Sequence, residues 1–110
     1  MIDTILAAAG IPAKQGRFAT PPPSTYAVYF DDLDTSGGPD PSPGQAPLLV
    51  EHGVTVEIYE PTPDPVAERA LEVELSVRGI AWTKQDRYWL QNVQRYQVIY
   101  EFNFFEKRRA

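Results

Sequence analysis

The stretch Tyr96-Gln-Val-Ile-Tyr-Glu-Phe-Asn-Phe-Phe105 decides the fold class of this 110-residue chain. Its Tyr, Val, Ile and Phe residues suit a pleated, half-buried surface, and it contains neither Gly nor Pro. It is therefore predicted to be one strand of a β-hairpin. The other strand is predicted at 80–85, with the turn between Asp86 and Val93 and a register that the sequence leaves open.

Two further strands are predicted upstream of this hairpin. Alternation in 26–30 places Tyr26, Val28 and Phe30 on one face of a strand. The return strand is predicted at 48–60, where five aliphatic residues share one face. They are Leu48, Val50, Val54, Val56 and Ile58.

Two helices complete the predicted order α-β-β-α-β-β. The first spans 2–9 and is stopped by Gly10 and Pro12, and the second opens with Asp64 as cap and Pro65 as first helical residue and ends at Gly79. The second helix has two apolar stripes. One comprises Val66, Ala70, Val73 and Val77, and the other comprises Ala67, Leu71 and Leu75. The Leu71 and Leu75 stripe is predicted to pack on the first helix or on a neighbouring subunit.

These elements predict one α+β domain over residues 1–110, with two layers, a mostly antiparallel sheet and both helices on one face. A chain of this length is too short for a second lobe with a cleft between the lobes. Residues 31–47 contain four Asp, four Pro and three Gly, so they are predicted to form a long, flexible hairpin loop that is a candidate contact arm. Residues 106–110 are predicted to be a basic tail.

Charge is distributed unevenly along the chain, whose net charge is -5. Lys and Arg are absent from 18–68 while nine Asp and Glu fall there, and from residue 69 onward eight basic residues face five acidic ones. This pattern argues against nucleic-acid binding through the centre and can steer self-association. The simpler interpretation is an acidic surface loop that keeps the chain soluble.

The sequence predicts no catalytic, cofactor or metal site, and hence no enzyme. There is no Cys, and the single His52 has no triad or metal-ligand spacing, so it is interpreted as a strand-surface residue. The segment Asp32-x-Asp34-x-Ser36-Gly37 resembles the start of a calcium loop, but Pro43 stands where a bidentate Glu is needed. The chain has no apolar segment long enough to span a membrane, and we expect it to be assembled in the cytoplasm.

Eight residues are candidates for a subunit or partner interface. Aromatic residues are frequent anchors of interfaces, and an aromatic pair is predicted at the tip of the last hairpin. The candidates are Asp31, Asp32, Asp34, Asp40, Leu71, Leu75, Tyr88 and Trp89. About half of the aromatic residues must instead fill the core, because strand residues alternate between two faces.

An ordered set of short motifs spans nearly the whole chain. It comprises Ile11-Pro12, Pro22-Pro23 before Tyr26-x-Val-Tyr29, Val56-Glu-Ile-Tyr59, Asp64-Pro65, Gly79-Ile80 and Tyr96 to Phe102. Together these motifs resemble the tail terminator, or tail-completion, proteins of long-tailed bacteriophages and prophages, which include the minor tail protein U group. The chain departs from commoner members in the Gly- and Pro-rich segment 36–47 and in the basic tail.

The resemblance implies an α+β subunit of the virion tail that forms a homo-hexameric ring, caps the tail tube, stops its polymerisation and offers a surface to the head. It implies contacts with the tail tube protein and with head-tail connector proteins, and DNA that passes through the ring without specific binding. It implies no enzyme activity and no cofactor. The alternatives are a head-tail connector or stopper adaptor, a monomeric peptide-binding module that uses an exposed strand edge, and a small enzyme that uses His52.

Overall fold

The computed structural model describes residues 1–34 and 48–108, which form two helices and six strands. The α+β class is therefore confirmed. The helices are α1 (Ile2–Ala8) and α2 (Pro65–Val77). The strands are β1 (Ala13–Gln15), β2 (Tyr26–Asp34), β3 (Leu48–Glu60), β4 (Trp82–Lys84), β5 (Tyr88–Leu90) and β6 (Arg95–Arg108).

The six strands form one sheet in the order β1-β2-β3-β6-β4, with β5 also paired to β6. Only the β1 and β2 pair is parallel among the described strands. The β3 and β6 pair is the longest, running from Leu48 opposite Arg108 to Glu60 opposite Tyr96. Strands β1 and β5 are short additions to the predicted order. The predicted turn between Asp86 and Val93 is wrong, because β5 occupies part of it and the turn before β6 lies at 91–94.

Two predicted boundaries change in the structure. Strand β2 continues to Asp34, so Asp31, Asp32 and Asp34 lie in a strand and not in the predicted loop. Strand β6 continues to Arg108, which takes 106–108 out of the predicted tail. The cause is the length of β3, because each added residue of β2 or β6 finds backbone partners on it. The rest of the predicted loop, including Asp40, lies outside the described residues.

One hydrophobic cluster joins both helices to alternate residues of the strands. The helices contribute Ile2, Ile5, Leu6, Leu71 and Leu75, and the central strands contribute Ala27, Val54, Val56, Ile58, Val98, Tyr100, Phe102 and Phe104. Since strand residues of one parity share a face, these strand residues lie on a single face of the sheet. The predicted alternation of β3 is confirmed over its described side chains.

The two stripes of α2 have different environments. Leu71 and Leu75 are completely buried in the core of the single chain, whereas Val66, Val73 and Val77 are exposed. Leu71 and Leu75 thus pack within the chain, in one cluster with residues of α1, and not on a neighbouring subunit. The Val residues form the outward stripe. The larger Leu side chains bury more apolar area than Val, which favours this rotation of the helix.

Both helices end in the same way, and this fixes where the chain returns to the sheet. Gly10 and Gly79 have positive φ angles of 75° and 71°. The next residues, Ile11 and Ile80, are buried and donate backbone hydrogen bonds to Leu6 and Leu75. This is the Schellman pattern, in which glycine adopts the left-handed conformation without a steric penalty.

The predicted cap of α2 is confirmed and also joins two elements. Asp64 accepts a hydrogen bond from the Ala67 backbone at 3.1 Å, and its other oxygen accepts from the Thr25 hydroxyl at 2.7 Å. The side chain therefore satisfies an otherwise unpaired helix amide and ties α2 to the start of β2.

We expect Leu71→Ala to lower the free energy of unfolding by about 2–5 kcal/mol, because it removes methyl groups from a fully buried position and leaves a cavity. The matched control Val66→Ala lies on the same helix at an 80% exposed position and should change stability by less than about 0.5 kcal/mol. Urea unfolding measures both. Equal losses in the two variants would contradict the observed orientation of α2.

Candidate functional site

The sheet is longer than the helix beside it. Thirteen residues of β3 span about 43 Å, whereas the thirteen residues of α2 span about 20 Å. One end of the sheet must therefore extend beyond α2. We call 30–34 of β2, 48–53 of β3 and 103–108 of β6 the sheet extension.

The sheet extension has two strand edges without a partner strand among the described residues. On one side, β1 pairs with β2 only at 27–29. On the other side, β4 and β5 pair with β6 only at 100–102 and 95–97. Unpaired strand edges present backbone N-H and C=O groups that can accept another strand.

Two phenylalanines on the sheet extension are exposed on the face opposite the core. Phe30 pairs with Thr55, and Phe105 pairs with Glu51, so both have the parity of the non-core face. Phe30 is 41% exposed and Phe105 is 62% exposed. Large exposed aromatic side chains at the edges of a sheet are typical of contact surfaces.

His52 lies at the base of the sheet extension, and its predicted surface position is wrong. The residue is buried, and its ring stacks on Phe104 with centroids 4.5 Å apart. Its Nδ1 lies 2.9 Å from Asp31 Oδ1. The parity of β3 explains this position, because His52 shares the face of Val54 and Val56. Asp31, a predicted interface residue, is thereby held within its own chain.

The predicted aromatic pair Tyr88 and Trp89 lies in β5, on the opposite edge of the sheet from the acidic end of β2. The two side chains are 60% and 44% exposed. Trp89 packs edge-on against Tyr96 at 4.9 Å between centroids, and its Nε1 donates to Gln91. The contact with Tyr96 therefore holds β5 against β6, while much of the Tyr88 and Trp89 side chains remains exposed.

A partly buried group of charges anchors the segment that precedes β5. Arg87 Nε donates to Glu60 at 3.1 Å, and its Nη2 donates to Glu68. Lys84 Nζ lies 2.9 Å from Glu68 and 3.1 Å from Glu72. Glu60 and Glu68 are buried, so this network ties β3 and α2 to the segment that carries Tyr88.

The pKa values of the two buried carboxylates, Glu60 and Glu68, are shifted in opposite directions. Burial and the neighbouring Glu68 raise the pKa of Glu60 from 4.5 to about 7, although Arg87 opposes this shift. Burial alone would raise the pKa of Glu68, but hydrogen bonds from Glu60, Arg87 and Lys84 lower it from 4.5 to about 2. Oε2 of Glu60 is buried without a hydrogen-bond partner. A proton on Glu60 would remove the charge from this buried group and the repulsion between the two carboxylates.

The predicted site residues do not form a single site. Asp31, Asp32 and Asp34 lie together on β2, Tyr88 and Trp89 lie together on β5, and Leu71 and Leu75 are core residues. The sequence did not predict the Arg87 network, and it predicted the Val stripe of α2 without its outward orientation. The order Glu68, Glu72 on a helix followed by Lys84 and Arg87 was a signal for the network.

A groove of about 740 Å³ runs beside the free edge of β6. Its walls include Met1, Ile80 and Trp82 on one side and 101–105 on the other. Within residues 1–34 and 48–108, no cluster of three or more His, Asp or Glu is arranged to hold a metal ion. No helix in these residues is long and apolar enough to span a membrane.

Comparisons with family models and with curated proteins give no match for this chain. The geometry of the sheet extension and of the β5 hairpin is therefore the basis for assigning a function.

We expect the free energy of unfolding to fall between about pH 5 and pH 8, because the folded pKa of Glu60 lies above its ordinary value. Its contribution is complete below pH 4.5 and is lost as the pH rises to about 7. The contribution of Glu68 has the opposite sign, being complete above pH 4.5 and lost as the pH falls to about 2.

Glu60→Gln should abolish the fall between about pH 5 and pH 8 and leave the acid loss in place. Urea unfolding at a series of pH values measures both limbs. Glu101→Gln, at an exposed position on the other face, is the matched control and should keep the wild-type profile. A Glu60→Gln profile with the fall intact would assign the titration to another group.

Proposed function

We propose that this protein is a structural subunit of a phage virion, which forms a ring that caps the tail tube, stops its polymerisation and provides the surface for head attachment. The observation that carries this proposal is the sheet extension, because a single chain leaves both of its edges without a partner strand among the described residues. The motifs that resemble the tail terminators support the same function.

A closed ring needs two different surfaces on each subunit, because one patch must bind a different patch of the next copy. This chain offers several such surfaces. The two edges of the sheet extension lie on opposite sides of the sheet. The outward stripe of Val66, Val73 and Val77 and the pair Tyr88 and Trp89 add exposed apolar area elsewhere. Such area is what association buries.

We infer that residues 1–110 form one domain with two layers, in which both helices cover one face of the sheet. The support is the single cluster that joins Ile5, Leu6, Leu71 and Leu75 to strand residues of one parity. On the opposite face Tyr26 and Val28 are buried within the chain, while Phe30 and Phe105 remain exposed for contacts outside it.

The partners that follow from this proposal are other copies of the chain in a homo-hexamer, the tail tube protein and the head-tail connector proteins. DNA passes through such a ring and must not adhere to it. The acidic residues Asp32 and Asp34 on the β2 edge would repel phosphate if they face the channel. The protein then acts in the virion tail, after assembly in the host cytoplasm.

A second candidate is a monomeric module that binds an extended peptide. The groove between Ile80 to Trp82 and the β6 edge favours this function, since it combines apolar walls with an unpaired strand. A head-tail connector or stopper adaptor is the third candidate and shares the assembly logic of the first.

Electron microscopy of tails assembled with and without the protein distinguishes these functions. We expect tails of uniform length when it is present and overlong tubes when it is absent, because an uncapped tube continues to grow. Tails of normal length that fail to join heads would support the connector function instead. Normal tails joined to heads in its absence would contradict both virion functions.

A further inference from the structure

We propose that the β2 edge of one copy pairs with the β6 edge of the next copy in a parallel arrangement that places Phe30 beside Phe105 and Asp32 beside Lys107. This inference rests on the proposed function, namely head-to-tail assembly of identical chains. It goes further by naming the interface, the strand direction and the register.

The parallel direction follows from the topology. Both β2 and β6 are antiparallel to β3, so they run in the same direction within one chain. Rotation about the ring axis relates one copy to the next, and every strand keeps its direction relative to that axis. The rotation therefore brings β6 of one copy beside β2 of the next copy in a parallel orientation. A two-fold dimer would instead pair two β6 edges in antiparallel fashion.

The charges of the two edges are complementary. Positions 30–34 of β2 read Phe-Asp-Asp-Leu-Asp, and positions 103–108 of β6 read Asn-Phe-Phe-Glu-Lys-Arg. Like β2 edges would place acid beside acid, whereas the unlike edges place Asp32 beside Lys107 on the non-core face. The same register places Asp31 level with Glu106, but Asp31 is already bound by His52 of its own chain. Opposite charges on neighbouring strands stabilise a pairing and like charges oppose it.

One register satisfies the aromatic and the charged positions together. Phe30 and Asp32 have the parity of the non-core face, as do positions 105 and 107. Placing Phe30 beside Phe105 automatically places Asp32 beside Lys107, because both pairs are separated by the same interval. The two exposed rings would then cover one another, and the sheet would continue from copy to copy with its faces preserved.

The short strands β1 and β4 limit this pairing at one end. β1 occupies the β2 edge as far as Tyr29, and β4 occupies the β6 edge as far as Phe102. Pairing between copies can therefore begin at Phe30 and Phe105 and continue toward Asp34 and Arg108. It cannot extend in the other direction, because β1 and β4 occupy the edges there and the two sheets diverge. The groove beside Ile80 and Trp82 lies at this fork.

The register also sets a stagger that suits a closed sheet. Within one chain Phe30 pairs with Thr55, and Thr55 pairs with Glu101, so Phe30 and Glu101 lie at the same height in the sheet. Phe105 lies four residues beyond Glu101 along β6. Four residues of stagger across three strands correspond to a strand tilt of about 42° from strand rise and spacing, within the tilt of about 35–45° seen in barrels. Six copies would contribute eighteen strands, a number that leaves an open channel of the kind seen in large barrels.

Charge reversal tests the interface. Asp32→Lys and Lys107→Asp should each weaken self-association about tenfold or more, and the double variant should restore it to within about threefold of wild type. Light scattering across concentrations measures this in solution, and the number of copies retained on purified tail tubes measures it on the template. Asp86→Lys makes the same charge change at an exposed position away from both edges and should leave assembly unchanged.

Disulfide trapping tests the register, and the chain contains no native Cys. Asp32→Cys with Lys107→Cys should give a ladder of covalent oligomers on non-reducing gels, because adjacent strands place Cα atoms about 4.8 Å apart. Asp32→Cys with Asn103→Cys is the matched control. Those positions are level within one chain, so this pair would be trapped only by a pairing without stagger.

The outcomes separate this inference from the proposed function. A ladder from the Lys107→Cys pair, together with rescue by the double charge reversal, supports the interface. Intact rings with no ladder, or a ladder from the Asn103→Cys pair alone, would overturn the interface and leave the ring function standing. Chains that stay monomeric in solution and on tail tubes would overturn both.

Discussion

The pairing of β3 with β6 is the constraint on which the rest of the structure depends. It fixes the position of every core residue on both strands, because a shift by one residue would turn Val56 and Tyr100 to the opposite face. It also runs well past the length that α2 can cover. The same interaction therefore builds the core and carries the three central strands on into the sheet extension, whose two edges have no partner strand among the described residues.

The ion pairs of Arg87 with Glu60 and Glu68 matter more for the position of the chain than for the stability of the fold. Replacing a buried ion pair with apolar residues is often neutral or stabilising, so the Arg87 network is weak evidence for a stable fold. Its geometry is specific, however, because Arg87 contacts Glu60 on β3 and Glu68 on α2 at once. These contacts fix the exposed residues that connect β4 to β5. They therefore hold the start of β5, at Tyr88, beside the sheet.

The local signals in the sequence predicted the elements well, and the long-range contacts explain what they missed. Asp64 and Gly79 act on neighbouring residues, so their roles as cap and stop were visible in the sequence. The extent of β2 was not visible in the sequence, because residues 31–34 include three Asp residues with poor strand propensity. These residues are held in the strand by pairing with β3. The buried position of His52 was visible in the parity of β3, but the absence of a catalytic motif led to a surface assignment.

The candidate surfaces were predictable only in part for the same reason. The aromatic exposure of Tyr88 and Trp89 was predicted for a hairpin tip, but the structure places both residues in the short edge strand β5. The rotation of α2 depends on contacts that are distant in sequence, including those of Glu68 with Lys84 and Arg87. A helical wheel gives two stripes and cannot say which one faces the sheet.

Unpaired strand edges expose a chain to uncontrolled association, and natural sheets protect such edges with charges or cover them. The sheet extension has charged residues on both edges, all of them acidic on β2 and two basic after one acidic at the end of β6. Opposite signs repel like edges and still permit unlike edges to meet. An arrangement of this kind favours head-to-tail association, which leaves no free edge once the copies close into a ring.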